Sequence, residues 1–193
     1  MFEYLKGTIQ KKTPTYLILE SEKTGYLVHI SLFTYSNIPD QGEIKIFVHQ
    51  VIREDAHLLY GFISSAEREL FRYLISVSGI GANTARMILS ALTPDEVREA
   101  IQTGNVLALK GIKGIGAKTA QRLIVDLRDK VGKSSESGEF FDVSSNRIKE
   151  EALSALATLG FSKTAVNKIL DEIISRQPDM SVEDLLREAL KRL

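Results

Sequence analysis

Hydrophobic and polar residues alternate along the first third of the chain, and near residue 64 this alternation gives way to a helical period. Short runs rich in Val, Ile, Leu, Tyr and Phe are separated by turn-forming residues such as Pro14, Gly25 and Gly42. Alternation with a period of two is typical of strands that bury one face. The pattern therefore predicts five strands, at residues 5–9, 15–19, 26–30, 43–51 and 58–63.

Five short antiparallel strands within residues 1–63 favour a small closed barrel of the OB type. The aromatic residues of this segment fall mostly in the predicted strands, where we expect them to fill the core. They are Tyr4, Tyr16, Tyr26, Phe47, Tyr60 and Phe62.

Beyond residue 64 the apolar positions follow a helical period, and two helix starts stand out. Residues 64–67, Ser-Ser-Ala-Glu, match a capping box, in which a Ser or Thr side chain and a Glu three residues later satisfy each other's backbone N–H groups. Residues 93–96, Thr-Pro-Asp-Glu, match it again with proline at the first helical position. A polar Gly/Ser-rich stretch begins at residue 132, and three short amphipathic helices are predicted after it at 146–158, 163–176 and 182–192.

The fold class expected from these patterns is α+β with several domains. It comprises a five-stranded OB-fold barrel at residues 1–63, a helical domain at 64–131, a flexible linker at 132–144 and a small three-helix domain at 145–193.

The heptapeptide Gly-Ile-Gly-Ala-x-Thr-Ala occurs twice in the helical domain, at residues 79–85 and 114–120. Each copy lies between two apolar helical stretches, and its two glycines allow a tight turn and a close approach of a ligand to the backbone. The helix that follows directs its free N–H groups at that turn, which favours binding of an anion. Two such turns at a fixed offset of 35 residues suit successive phosphates of a nucleic acid. The pattern is that of a tandem helix-hairpin-helix domain.

A single Gly-x-Gly turn is as often a glycine-capped helix end without a ligand. The near-identical second copy argues against this for the pair, because packing alone does not require a whole heptapeptide to recur. Residues 111–119 also approach a P-loop, but Ala117 separates Gly116 from Lys118, where the nucleotide-binding motif needs lysine directly after glycine. We therefore reject a nucleotide site here.

Formal net charge is zero over the whole chain, but it is unevenly distributed. Residues 64–133 carry 11 Lys/Arg against 7 Asp/Glu, a net charge of +4, whereas residues 1–63 carry 6 against 7 and residues 134–193 carry 8 against 11. The positive segment is the one that contains both hairpins, as binding of phosphates requires.

The absence of cysteine excludes disulfides, thiolate zinc sites and thiol chemistry, and three scattered histidines offer little support for a metal site. The chain has no membrane-length apolar run, and its first residues lack the apolar region of a signal peptide. A cytoplasmic protein without a cofactor is expected.

Two other classes of function were weighed. A glycosylase or nuclease anchored by the hairpins would need a base pocket or clustered carboxylates, and Asp126 and Asp129 look like surface charges of an amphipathic helix. A single-strand binder would need exposed aromatic residues on a basic barrel, whereas the barrel segment is slightly acidic.

Taken in order along the chain, these parts resemble the RuvA family of bacterial Holliday-junction branch-migration proteins over the whole length. The resemblance depends on the sequence of domains and on three specific strings. These are Arg53-Glu54-Asp55 followed by Leu58-Leu59-Tyr60-Gly61-Phe62, the two Gly-Ile-Gly hairpins, and Lys118-Thr119-Ala120-x-Arg122-Leu123-Ile124.

The resemblance implies a non-catalytic homotetramer that holds a four-way DNA junction in an open, square-planar form. It also implies recruitment of the hexameric ATPase RuvB through residues 145–193 and a junction shared with the resolvase RuvC. The processes implied are homologous recombination, repair of DNA damage in the SOS response, and fork reversal. Whether one or two tetramers hold the junction is left open.

The resemblance also assigns roles to residues. Glu54 and Asp55 would form an acidic pin at the centre of the tetramer, although two adjacent acids are more often only a solvated turn. Arg53 is either a phosphate contact or a salt-bridge partner of these acids, and Lys113 and Arg122 are further candidates for DNA contact. The residues expected to hold phosphates are Gly79, Ile80, Gly81, Ala82, Asn83, Thr84, Gly114, Ile115, Gly116, Ala117, Lys118 and Thr119.

Two positions depart from the family pattern. Asn83 stands in the first hairpin where lysine is frequent, and Lys113 precedes the second where proline is common. Together they are expected to shift affinity from the first hairpin towards the second.

Overall fold

The computed structural model describes residues 2–132, 143–177 and 180–193. They form two compact units that meet between residues 137 and 138, and the first unit contains both the barrel and the tandem hairpins. The predicted flexible linker falls largely on residues 133–142, outside the described residues. At its edges, Gly132 ends one helix and Val143 begins the next.

The barrel is built from five strands, in the order β1-β2-β3-β5-β4 around the ring. Alternate residues of these strands point inward, so that Leu17, Leu19 and Val28 are fully buried. The strands are β1 (Tyr4–Lys12), β2 (Tyr16–Ser21), β3 (Thr24–Ile30), β4 (Glu43–Ile52) and β5 (His57–Phe62).

The prediction that all strands are antiparallel is wrong for one pair. β3 and β5 run parallel, with Val28 opposite Leu59, while the other four pairs are antiparallel. A closed ring with an odd number of strands cannot alternate direction throughout, so one parallel pair is unavoidable. A short helix, α1 (Leu32–Asn37), lies between β3 and β4 and was not predicted from the sequence.

Five helices follow the barrel within the first unit: α2 (Ser65–Ile75), α3 (Ala82–Ala91), α4 (Pro94–Gln102), α5 (Val106–Lys110) and α6 (Ala117–Gly132). Their core is continuous with the barrel through two aromatic residues of β5. Tyr60 and Phe62 lie with ring centroids 5.3 and 4.8 Å from that of Phe71 on α2. The predicted capping box at Thr93 is confirmed, because Thr93 and Glu96 bond reciprocally.

The capping box predicted at Ser64 is only half formed. The Ser64 hydroxyl accepts the Glu67 N–H at 3.1 Å, but the Glu67 carboxylate does not return to the Ser64 N–H. It accepts from the Ser31 and Thr34 hydroxyls, each at 2.7 Å, and from the Ile63 N–H at 3.2 Å. Glu67 is completely buried, so this carboxylate fastens α2 to α1 and the barrel.

The second unit is a three-helix domain, as predicted. Its helices are α7 (Val143–Thr158), α8 (Lys163–Arg176) and α9 (Val182–Leu190). They enclose a small core that includes Ala152, Leu156, Val166, Leu170 and Leu185. The first helix begins three residues before the predicted start at Asn146.

We expect Glu67→Ala to lower the free energy of unfolding by roughly 2–5 kcal/mol, because two hydroxyls and one backbone N–H would lose their buried acceptor. Urea unfolding measures this loss. Glu69→Ala, an exposed glutamate on the same helix, is the matched control and should change stability by less than about 0.5 kcal/mol. Equal effects of the two substitutions would contradict a structural role for the Glu67 carboxylate.

Burial raises the pKa of Glu67, and this effect outweighs the hydrogen bonds from Ser31, Thr34 and Ile63 that favour the ionised form. A glutamate in the unfolded chain ionises near about 4.3, so above that pH the native state retains the proton longer than the unfolded state. The stability contributed by this group is therefore present at low pH and is lost as the pH rises through the native pKa. We expect the unfolding free energy of wild type minus that of Glu67→Gln to fall over this range. A difference that increases with pH would refute the raised pKa.

Candidate nucleic-acid interface

The two Gly-Ile-Gly turns adopt the same backbone conformation. Gly79 and Gly114 both have φ = +91°, a value that glycine adopts far more readily than other residues. In each turn the central isoleucine donates its N–H to the carbonyl three residues earlier, Ile80 to Val77 and Ile115 to Ile112, both at 3.0 Å. The repeat in sequence is thus also a repeat in structure.

Burial repeats at the same offset of 35 residues. Leu74 and Leu109 are fully buried, as are Ala85 and Ala120, and the central isoleucines are 4% and 5% exposed. The isoleucine of each turn therefore anchors it to the core, while the four glycines lie at the surface. This arrangement holds the backbone of the turn rigidly in contact with solvent.

Each turn leads directly into a helix whose first N–H groups have no acceptor within that helix. The first bond of α3 runs from the Ala85 N–H to the Gly81 carbonyl, and that of α6 from Ala120 to Gly116, both at 2.9 Å. Gly81, the N-cap residue of α3, provides no side-chain cap. The N–H groups of Ala82 and Asn83, and of Ala117 and Lys118, therefore precede the first helical bond and suit an anion.

The side chains around the two turns differ. Lys118 is exposed at the start of α6, and Lys113 and Arg122 are exposed before and after it. At the corresponding place in the first hairpin, the Asn83 side-chain oxygen accepts from Arg86 Nη2 at 3.0 Å. Arg86 in turn donates through Nη1 to the Thr15 carbonyl of the barrel at 2.9 Å. Asn83 is thus part of the contact between the first hairpin and the barrel, a role that the sequence did not indicate.

Arg68 is a second cation that attaches α2 to the barrel. It is 6% exposed, donates to the Glu3 carbonyl at 2.7 Å, forms an ion pair with the Glu3 carboxylate and lies 5.2 Å over the Phe47 ring. The guanidinium of Arg68 holds the pKa of Glu3 below its ordinary value. No motif marks either Arg68 or Arg86, because their partners are distant in sequence.

The acidic pair lies at the tip of the β4–β5 hairpin. β1 pairs with β4 up to Phe47, so the distal part of β4 is paired with β5 alone. The tip is closed by the Arg53 N–H, which donates to the Ala56 carbonyl at 2.9 Å. Glu54 and Asp55 are exposed there. Within the described ranges no ion pair joins Arg53 to either acid, so the salt-bridge alternative for Arg53 gains no support.

The expectation that the barrel aromatics fill the core holds for Tyr60 and Phe62 but is wrong for Tyr4, which is 49% exposed. Tyr4 opens β1, where its side chain alternates outward and lies beneath Lys45 Nζ, 4.1 Å from the ring centroid. Tyr16, Tyr26 and Phe47 are partly buried.

In the described ranges, no three His, Asp or Glu side chains group in a way that could hold a metal ion, and no helix is long and apolar enough to cross a membrane.

Comparison with known families agrees with this architecture. Residues 1–61 match the RuvA N terminal domain, residues 71–129 the SAM-like helix-hairpin-helix tandem, and residues 148–193 the RuvA C-terminal domain. A relative from Christiangramia forsetii, named Holliday junction branch migration complex subunit RuvA, is 48% identical over the full length of both chains. The chain belongs to the RuvA family.

Other RuvA proteins are comparably similar. The relative from Porphyromonas gingivalis is 47% identical and that from Flavobacterium psychrophilum 44%, again over the full length of both chains, and both carry the same name. The order of domains expected of a RuvA chain is therefore present from end to end.

The glycines of each hairpin are expected to respond differently to alanine. At Gly79 and Gly114 a side chain would meet no atom within 4 Å, so the cost is the strain of positive φ, about 1–2 kcal/mol per site in urea unfolding. At Gly81 and Gly116 there is equally free space and no positive φ, so stability should be nearly unchanged. The added methyl would nevertheless lie where a phosphate approaches, so DNA affinity in gel-shift titration should fall. Gly81→Ala and Gly116→Ala variants that bind DNA like wild type would contradict binding at these amides.

Proposed function

We propose that this RuvA chain is the non-catalytic DNA-binding subunit of a branch-migration complex. It assembles as a homotetramer, binds a four-way junction, and holds it open and square-planar in the cytoplasm during homologous recombination, DNA repair and fork reversal. The observation that carries the proposal is the pair of matching hairpins with outward-facing helix N-termini, within a chain that resembles named junction-binding subunits along its whole length.

The hairpins would hold the DNA through phosphates. Their ligands are the backbone N–H groups at Gly79–Asn83 and at 114–118, with the Thr84 and Thr119 hydroxyls beside them and Lys118 adding a full charge. Contacts of this kind position a duplex without reading its bases. Binding that is independent of sequence is what a subunit needs in order to remain on a crossover that moves.

The acidic tip would act by repulsion. One carboxylate about 6 Å from a phosphate in a water-like dielectric is repelled by about 0.7 kcal/mol. Glu54 and Asp55 are both exposed on a projecting hairpin, and four copies would bring eight carboxylates together. Their sum disfavours a continuous duplex through the centre, whereas a junction with parted strands leaves that place open.

The C-terminal unit, residues 145–193, would dock the hexameric ATPase RuvB, which supplies the energy of branch migration. Its small core leaves apolar residues outside, among them Leu159 at 65% and Leu190 at 47% exposure. Apolar side chains exposed on so small a domain support a docking role. The resolvase RuvC would use the same DNA junction, with one or two tetramers holding it.

The test is a gel-shift titration with a synthetic four-way junction, and with linear duplex and single strand of equal length as competitors. We expect tight binding to the junction, far weaker binding to both competitors, and a smaller preference for the junction in the double variant Glu54→Ala/Asp55→Ala. Glu20→Ala/Glu22→Ala, which removes two carboxylates elsewhere on the barrel, is the matched control for net charge. Equal affinity for all three DNA forms would overturn the assignment to junctions.

A further inference from the structure

The first hairpin reaches the barrel through its outward face. On α3, Arg86 donates to the Thr15 carbonyl at 2.9 Å, and the Ser90 hydroxyl accepts the Leu32 N–H at 3.1 Å. On α2, Arg72 lies close to His49 of β4, and burial together with this charge lowers the pKa of His49. Three positions, 72, 86 and 90, thus mark the face of hairpin 1 that the barrel covers.

The corresponding face of the second hairpin is uncovered. An offset of 35 residues takes these positions to Leu107, Gln121 and Val125. Gln121 is exposed, and Leu107 and Val125, at 79% and 77% exposure, are the two most exposed large apolar side chains in the described ranges.

The exchange of residue types is informative. Polar groups of hairpin 1, Arg72 and Ser90, bond to or lie beside the barrel, and at the equivalent places hairpin 2 has apolar groups that contact water. Scattered exposed apolar residues need no explanation. Here, however, two of them occupy the positions at which the sister copy carries an interface.

We propose that the Leu107–Val125 face of hairpin 2 packs against the barrel of a second copy of this chain. The occupant is inferred from the internal repeat, since the same face of hairpin 1 is seen with a barrel on it. This inference rests on the proposed homotetramer and names the surface that builds it.

Charge and exposure select the receiving surface. The place where hairpin 1 lies on its own barrel is already occupied, so a second hairpin must use another. The start of β1 presents Phe2 at 43% and Tyr4 at 49% exposure, with Lys45 above the Tyr4 ring. Asp129, one turn beyond Val125 on the same face of α6, supplies the opposite charge.

A contact between two different surfaces joins copies head to tail. Such a contact generates a ring when its rotation closes. Each chain would then give its second hairpin to one neighbour and receive another hairpin on its barrel.

The chain has no cysteine, so paired substitutions test this contact directly. In full-length protein, Tyr4→Cys/Val125→Cys treated with a short bis-maleimide is expected to give covalent species of two, three and four chains on a denaturing gel. Leu27→Cys/Val125→Cys, with a similarly exposed residue on β3, is the matched control and should remain a single chain. Absence of cross-links in the first pair, equal cross-linking in both pairs, or cross-linking by Val125→Cys alone would overturn the proposed contact.

Light scattering separates this inference from the proposed tetramer. Wild type should have the mass of four chains, and Val125→Glu should show a fourfold fall, while Leu159→Glu should leave the mass unchanged. A wild-type monomer would overturn both proposals, whereas a Val125→Glu tetramer would overturn only the surface named here. If thermal melting shows that Val125→Glu is unfolded, Val125→Ser, which installs the residue found at position 90, must weaken assembly for the inference to stand.

Discussion

A single buried carboxylate determines how the DNA-binding parts of the first unit are presented. Glu67 accepts hydrogen bonds from Ser31, Thr34 and Ile63, and thereby ties α1, the end of β5 and the start of α2 together. Phe71, one turn further along α2, packs on the aromatic residues of β5. Because a buried charge tolerates few geometries, the barrel and the first hairpin form one body. The proposed acidic tip and the proposed phosphate contacts are consequently held at fixed positions relative to each other.

Recognition in the proposed function depends on two opposite electrostatic effects. The hairpins offer helix N-termini to phosphates, and the β4–β5 tip presents carboxylates that repel them. Neither effect is large at one site, since each exposed contact is screened by water and salt. Repetition provides the strength, within the chain through two hairpins and between chains through copies around a ring. Selectivity for a junction then follows from geometry rather than from contacts with bases.

The internal repeat also shows how one fold can serve two purposes. Positions that pack the core are preserved between the hairpins, as at Leu74 and Leu109 or Ala85 and Ala120. Positions on the outward face have diverged, so that Ser90 contacts the chain's own barrel while Val125 is exposed. Duplication thus supplied a second surface that was not needed to complete the first unit.

The sequence by itself determined the elements of this protein. Period-two alternation located the five strands, helical spacing located most helices, and the repeated heptapeptide located both turns, because these signals are local and depend on backbone geometry. Only the tertiary structure decided the parallel pairing of β3 with β5, the use of Glu67 by the barrel instead of its own helix cap, and the engagement of Asn83 by Arg86. Those outcomes depend on ring closure and on partners tens of residues away, and no local pattern records which distant group a side chain will meet.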